Sequence, residues 1–283
     1  MPIDRAKNNY GSSRAGLTYG AGHAKGEIDE TSGKILAAGS GTSIFDPVLC
    51  ELAYRWFCPP GGQILDPFAG GSVRGIVAGV LGRAYTGLEL RKEQVEANRD
   101  QVGIVKDGLP IPVWITTDSA LIDDVLTADF KVDFLFSCPP YADLERYSDD
   151  PSDLSTMAYS EFKNVYRSII AKSCSRLKEN RFACFVVGEV RDKKGNYYDF
   201  VGDTVQAFID AGLSYYNEAI LVTAVASLPI RVAKQFSKSR KLGKTHQNML
   251  IFVKGDPKMA TEAIGTVEYG EIEDLMSVED TNG

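Results

Sequence analysis

The chain has 283 residues, 31 Lys and Arg against 38 Asp and Glu, a net charge of -7, and 44% hydrophobic and 24% charged residues. This is the make-up of an ordinary globular protein long enough to bury a sizeable core. No apolar run can cross a bilayer and the start lacks a secretory pattern, which leads to the expectation of a cytoplasmic protein, nucleoid-associated if the cell is prokaryotic. The five cysteines, Cys50, Cys58, Cys138, Cys174 and Cys184, form no Cys-x-x-Cys pair, and only His23 and His246 stand by to help a metal. Reduced thiols and no metal site are therefore expected.

Residues 1–42, rich in Gly, Ser and Ala, read as a mobile arm. From Asp46, the stripe Val48, Leu49, Leu52, Ala53 and Trp56 predicts an amphipathic helix ended by Pro59-Pro60-Gly61-Gly62. Short apolar runs at Gln63–Asp66, Ala84–Leu90, Val113–Thr117 and Val132–Ser137 predict buried strands. Ser72–Leu81, Arg91–Val102 and Ser119–Leu126 supply the helices between them. Tyr159–Leu177 and Asp199–Ala211 read as further helices, with strands at Phe182–Val190, near Glu218–Val225 and at Asn248–Lys254. Strands alternating with helices imply an α/β fold with a doubly wound, mostly parallel sheet. One domain over residues 43–255 and an acidic tail over 256–283 follow from the pattern.

Charge is unevenly spread. Between Arg231 and Lys254 there are seven basic residues and no acidic one, whereas seven acidic residues follow Asp256. A phosphate-binding surface needs only local positive potential, so Lys238, Arg240, Lys241 and Lys244 are candidates for a nucleic-acid contact despite the negative total.

The strand Ile64-Leu65-Asp66 runs into Pro67-Phe68-Ala69-Gly70-Gly71-Ser72 and then a helix, and the next strand ends in Gly87-Leu88-Glu89. A Gly-rich turn with a strand-end acid about 20 residues on is how a doubly wound sheet holds a nucleoside. Asp66-Pro67-Phe68-Ala69-Gly70 resembles motif I of the amino-directed DNA methyltransferases, Asp-Pro-Phe-x-Gly-Ser-Gly, with Ser72 where a second glycine is usual and Gly71 beside it to supply flexibility. The resemblance implies a Rossmann-like class I methyltransferase fold with a final antiparallel strand and S-adenosyl-L-methionine as cofactor. By the same match Glu89, followed by Leu90, would bind the ribose and Asp118 the adenine. Ser43-Ile44-Phe45-Asp46-Pro47 is similar to motif X, which would bring Phe45 to the methionine end.

The fourth strand ends in Phe136-Ser137-Cys138-Pro139-Pro140-Tyr141. Two prolines cannot donate ladder hydrogen bonds, so the chain must leave the sheet there in a stiff loop. The segment resembles motif IV, Asp/Asn/Ser-Pro-Pro-Tyr/Phe, with Cys138 at the usual polar position. The match implies that Pro139 offers a backbone acceptor to an exocyclic amine, that Ser137 or main-chain oxygens make up for the weakly accepting thiol, and that Tyr141 stacks on a flipped base. Cys138 as a covalent nucleophile is the minor alternative. Asp143, Arg146 and Tyr147 follow as candidate base-pocket residues, because their run is similar to that of some cytosine-N4 enzymes. Thr245–Lys254 resembles the family's closing strand, and the motif order is gamma-like.

The expected function is therefore methylation of cytosine N4 or adenine N6 in DNA. An RNA base methyltransferase and a catalytically silent nucleic-acid-binding module are the alternatives.

Overall fold

The computed structural model describes residues 44–141, 147–222 and 228–267. The arm expected over 1–42, Asp143, Arg146 and the acidic residues from Glu268 onward lie outside the described residues. Asp46 starts helix α1 (Pro47–Phe57) by accepting hydrogen bonds from the amides of Val48 and Leu49 at 2.8 and 3.4 Å. Pro47 fills the first turn, where no amide is needed. The buried face is Leu49, Cys50, Ala53 and Tyr54, one residue around the helix from the expected stripe. Val48 and Trp56 are exposed. Tyr54 explains the rotation, since its buried hydroxyl donates to the Arg74 carbonyl at 2.9 Å.

Then follow β1 (Gln63–Asp66), α2 (Val73–Val80), β2 (Ala84–Glu89), α3 (Lys92–Arg99), β3 (Val113–Thr116), α4 (Ile122–Val125) and β4 (Val132–Ser137). The chain continues through α5 (Tyr159–Arg176), β5 (Leu177–Val187), α6 (Phe200–Asp210), β6 (Ser214–Val222), α7 (Leu228–Ser239), β7 (His246–Lys254) and α8 (Pro257–Ile264). The strands form one sheet in the order β3-β2-β1-β4-β5-β7-β6. β1 to β5 are parallel, and β7 runs against both of its neighbours. This is a Rossmann-like, doubly wound α/β fold whose mostly parallel sheet is completed by one antiparallel strand.

Alternate residues of each strand enter opposite cores. Ile64, Tyr85, Trp114 and Phe134 face the layer of α1, α2 and α8, while Leu65, Leu88, Leu135 and Phe185 face that of α5 and α6. Strand β5 begins five residues earlier than the apolar run suggests. Lys178 and Arg181, in the gap between the expected helix and strand, pair with Asp133 on β4 at 2.9 and 3.0 Å. The first part of the basic stretch forms helix α7. Nor does folded structure stop at residue 255: Asp256 caps α8, whose Ala260 and Ile264 are buried in the layer of α1. Among the described residues no helix is long and apolar enough to cross a membrane.

Gly75 shows how tightly α2 sits. A Cβ there would collide with the ring of Trp114, itself 1% exposed. Alanine gains about 1 kcal/mol of helix propensity over glycine, but overpacking a filled core costs about 1–3 kcal/mol. Gly75→Ala is therefore expected to destabilise the fold, seen as a lower urea midpoint; an unchanged or higher midpoint would show that the indole can move aside.

Candidate active site at the carboxyl edge of the sheet

In an open α/β sheet the ligand crevice lies beyond the carboxyl ends of the strands, where the strand order reverses. Here that reversal falls between β1 and β4, and a cavity of about 600 Å³ opens there.

Asp66, the last residue of β1, is fully buried. Its carboxylate accepts from Arg74 Nε at 2.6 Å, the Tyr85 hydroxyl at 2.8 Å, the Ser137 hydroxyl at 2.6 Å and the Phe68 amide at 3.1 Å. Arg74 spends its Nη2 on the carbonyls of Phe68 and Ala69, at 2.5 and 2.8 Å. The turn after β1 is thus held from inside by one ion pair, which satisfies carbonyls that the turn geometry leaves without ladder partners. Gly70 takes φ +50° at the bend, a region that glycine enters freely. Its amide donates to Glu89 Oε2 at 3.0 Å and its carbonyl accepts from Asn98 at 2.8 Å. Gly71 does not take a positive φ. A Cβ on it would meet nothing, and Gly71 faces the cavity. Ser72 donates to Gln101 at 2.6 Å.

Glu89 ends β2 with one oxygen on Gly70 and the other on the Arg91 amide at 2.9 Å. Burial pushes its pKa above the ordinary carboxylate value, against the hydrogen bonds of Arg91 and Gly70. Asp118, after β3, caps the short turn Ser119–Leu121 through the Ala120 amide at 2.8 Å.

Across the cavity, β4 ends at Ser137 and the chain turns through Cys138-Pro139-Pro140-Tyr141. The Tyr141 hydroxyl accepts from Gln247 Nε2 at 2.5 Å and lies 3.8 Å from the Cys138 sulfur, and its ring meets Phe200 edge-on at 6.0 Å. Burial, reinforced by Cys138, pushes this phenol well above its ordinary pKa, so it stays protonated.

Twelve of the residues singled out in the sequence line this one cavity: Phe45, Pro67, Phe68, Gly70, Glu89, Leu90, Asp118, Cys138, Pro139, Pro140, Tyr141 and Tyr147. Asp66 and Ser137 do not. Both lie beneath its floor, bonded to each other, so neither side chain faces a ligand there. Lys238, Arg240, Lys241 and Lys244 stand outside the cavity on α7 and the link to β7. Arg146 is outside the described residues.

Arg74, Asn98, Gln101 and Gln247 were not legible in the sequence. Arg74 carried the best signal, being a charged residue in the first turn of an otherwise apolar helix. Gln247 stood in the closing-strand motif but with no partner to name. Among the described residues there is no group of His, Cys, Asp and Glu arranged to hold a metal.

No family model matches the chain, and no curated protein matches it. Among solved structures it is similar to TrmN of Thermus thermophilus (13% identity, TM-score 0.49, 74% of this chain and 49% of that one). It is also similar to a methyltransferase of Pyrococcus furiosus (15%, 0.49, 79% and 88%). A third is the magnesium protoporphyrin IX methyltransferase ChlM of Synechocystis PCC 6803 with bound SAM (13%, 0.46, 74% and 79%). The chain spans about half the length of the Thermus thermophilus protein.

Arg74→Met strands the Asp66 carboxylate in the interior. Breaking a buried pair from one side costs about 3–5 kcal/mol, so urea unfolding should show a loss of that size, and adding Asp66→Asn should recover part of it. A loss well under 1 kcal/mol would mean that water reaches Asp66.

Proposed function

We propose that the protein methylates the exocyclic amino group of a nucleic-acid base, cytosine N4 or adenine N6 in DNA, with S-adenosyl-L-methionine as donor. One observation carries this reading. The Gly70–Ser72 turn and the Cys138–Tyr141 diproline turn line the same cavity, at the reversal of strand order.

The residues present fit the cofactor. The cavity has the size of a small-molecule site, the bare Cα of Gly71 leaves room at its wall, and Glu89 presents a partly buried carboxylate next to the turn. Glu89 would accept the ribose hydroxyls, Asp118 would meet the adenine, and Phe45 and Pro67 would flank the methionine end. When bound, the cofactor supplies an electrophilic methyl group.

The remaining work falls to the chain. An exocyclic amine is a weak nucleophile because its lone pair is spread into the ring. A carbonyl at Pro139 that accepts the amine hydrogens favours a pyramidal nitrogen, and the prolines fix that carbonyl before the base arrives. Tyr141, held by Gln247 and Phe200, stacks on a base that has left its helix, and Tyr147 borders the same space. Ser137 has its hydroxyl committed to Asp66, so it positions the turn rather than touching the amine. Cys138 contributes its backbone and shape, and no covalent bond between its thiol and the base is needed.

The test is mass spectrometry of nucleosides after incubation with cofactor and either DNA or RNA. N4-methylcytosine or N6-methyladenine from DNA supports the reading. A product from RNA alone would make it an RNA enzyme, and binding without any product a silent module. Tyr141→Ala is expected to lower turnover far more than cofactor affinity; equal losses would make the tyrosine structural. Cofactor affinity, measured by titration calorimetry, should be present above the raised Glu89 pKa and lost as pH falls through it, since only the carboxylate accepts two hydroxyls. Glu89→Gln should weaken binding and flatten that pH dependence.

A further inference from the structure

The segment after β5 was not singled out by its sequence, yet the fold builds it into a defined projection. Arg191 and Tyr197 form an antiparallel bridge, and Asp192 closes the turn between them. The Asp192 carboxylate accepts from the amides of Gly195 and Asn196 at 2.6 and 2.8 Å. Arg191 donates to the Gly195 carbonyl at 2.7 Å and lies 3.7 Å over the ring of Tyr197. At its base, Tyr198 stacks on Tyr159 at 3.9 Å, and Glu189 accepts from the amides of Phe200 and Val201 at 3.2 and 3.3 Å. The acids of this hairpin are therefore committed to backbone amides. Lys193 and Lys194 are left exposed at its tip, and neither has an ion-pair partner among the described residues.

The position matters as much as the charge. β5 ends at the same edge as β1 and β4, so the hairpin rises from the edge of the sheet on which the cavity opens. Phe200, the first residue of α6 and three beyond the bridge, packs against Tyr141. Lys241, from the link between α7 and β7, lies against Gly195, where its ammonium fills the space of a missing side chain. Two segments distant in sequence thus bring Lys241 against the hairpin that carries Lys193 and Lys194. Lys244 is less suited to join them, since it is partly buried and electrostatically coupled to Glu189 and Glu218.

We infer that the hairpin tip, Lys193 and Lys194 with Lys241 alongside, grips the phosphodiester backbone of the nucleic-acid substrate as its base enters the cavity. This rests on the proposed function. A stiff hairpin suits the task, because little ordering entropy is lost when its cations meet phosphates. Each phosphate neutralised releases counterions, so each lysine should appear in the salt dependence of binding.

The experiment measures fluorescence anisotropy of a labelled DNA duplex and a labelled single strand, at several salt concentrations, with the full chain and its variants. Lys193→Glu/Lys194→Glu should bind more weakly, with the slope of log K against log salt on duplex shallower by about 2. Lys193→Gln/Lys194→Gln should fall between it and the parent. Cofactor affinity and the urea midpoint should stay unchanged in both variants, which separates lost contacts from lost folding. If the parent binds and methylates while both variants match it in affinity and slope, the hairpin assignment is wrong and the proposed function stands. If the parent binds neither DNA nor an RNA strand of the same sequence, both fail.

Discussion

The Arg74–Asp66 pair is the contact on which the site depends. It lies in the interior, where an unpartnered charge would cost several kcal/mol, and Arg74 Nε and Nη2 and both Asp66 oxygens are hydrogen-bonded. Through Asp66 it reaches the start of β2 by the long side chain of Tyr85 and the end of β4 by Ser137. The turn proposed to hold the cofactor and the turn proposed to hold the base are therefore not two loops that happen to be near each other. They share one carboxylate, and a shift in either would break hydrogen bonds with no water to replace them. Apolar residues of the same volume could stabilise as well, but they would not fix the ends of β1 and β4 against each other.

Above this floor, the division of labour follows from sheet geometry. Parallel strands put all their carboxyl ends on one edge, and the reversed β7 returns the chain to that edge at His246, beside Val222 of β6. The link between β6 and β7, which carries the basic run, thus leaves and rejoins the sheet at the cavity rim. The same reversal sets Gln247 against Tyr141, so the closing strand helps hold the aromatic ring. A chain with a net charge of -7 can in this way keep its cations where an anionic polymer would approach, with acids elsewhere on its surface.

The differences from the sequence reading have particular causes. The α1 face was misplaced by one residue because a tyrosine with a polar tip was not counted as core, although its hydroxyl had a buried carbonyl to meet. The start of β5 was missed because Lys178 and Arg181 are charged, and nothing in linear order marks Asp133 as their partner. Asp66 and Ser137 were assigned to ligands on the strength of their motifs, whereas the fold turns them toward each other. The hairpin at Arg191–Tyr197 was passed over because neither helical nor strand periodicity extends across so short a bridge.

What the sequence determined by itself is the alternation of strands and helices, and with it a parallel sheet, because apolar runs and amphipathic stretches have different periods and each must bury its own face. It also determined where the chain must bend away from two strand ends, since glycine at a bend and proline at a strand end act on the backbone locally. Only the tertiary structure decided which side chains face the cavity and which lie beneath it. It alone placed Gln247 on Tyr141 and Lys241 on the hairpin, because those partners lie far apart in the chain and are joined only by the register of the sheet.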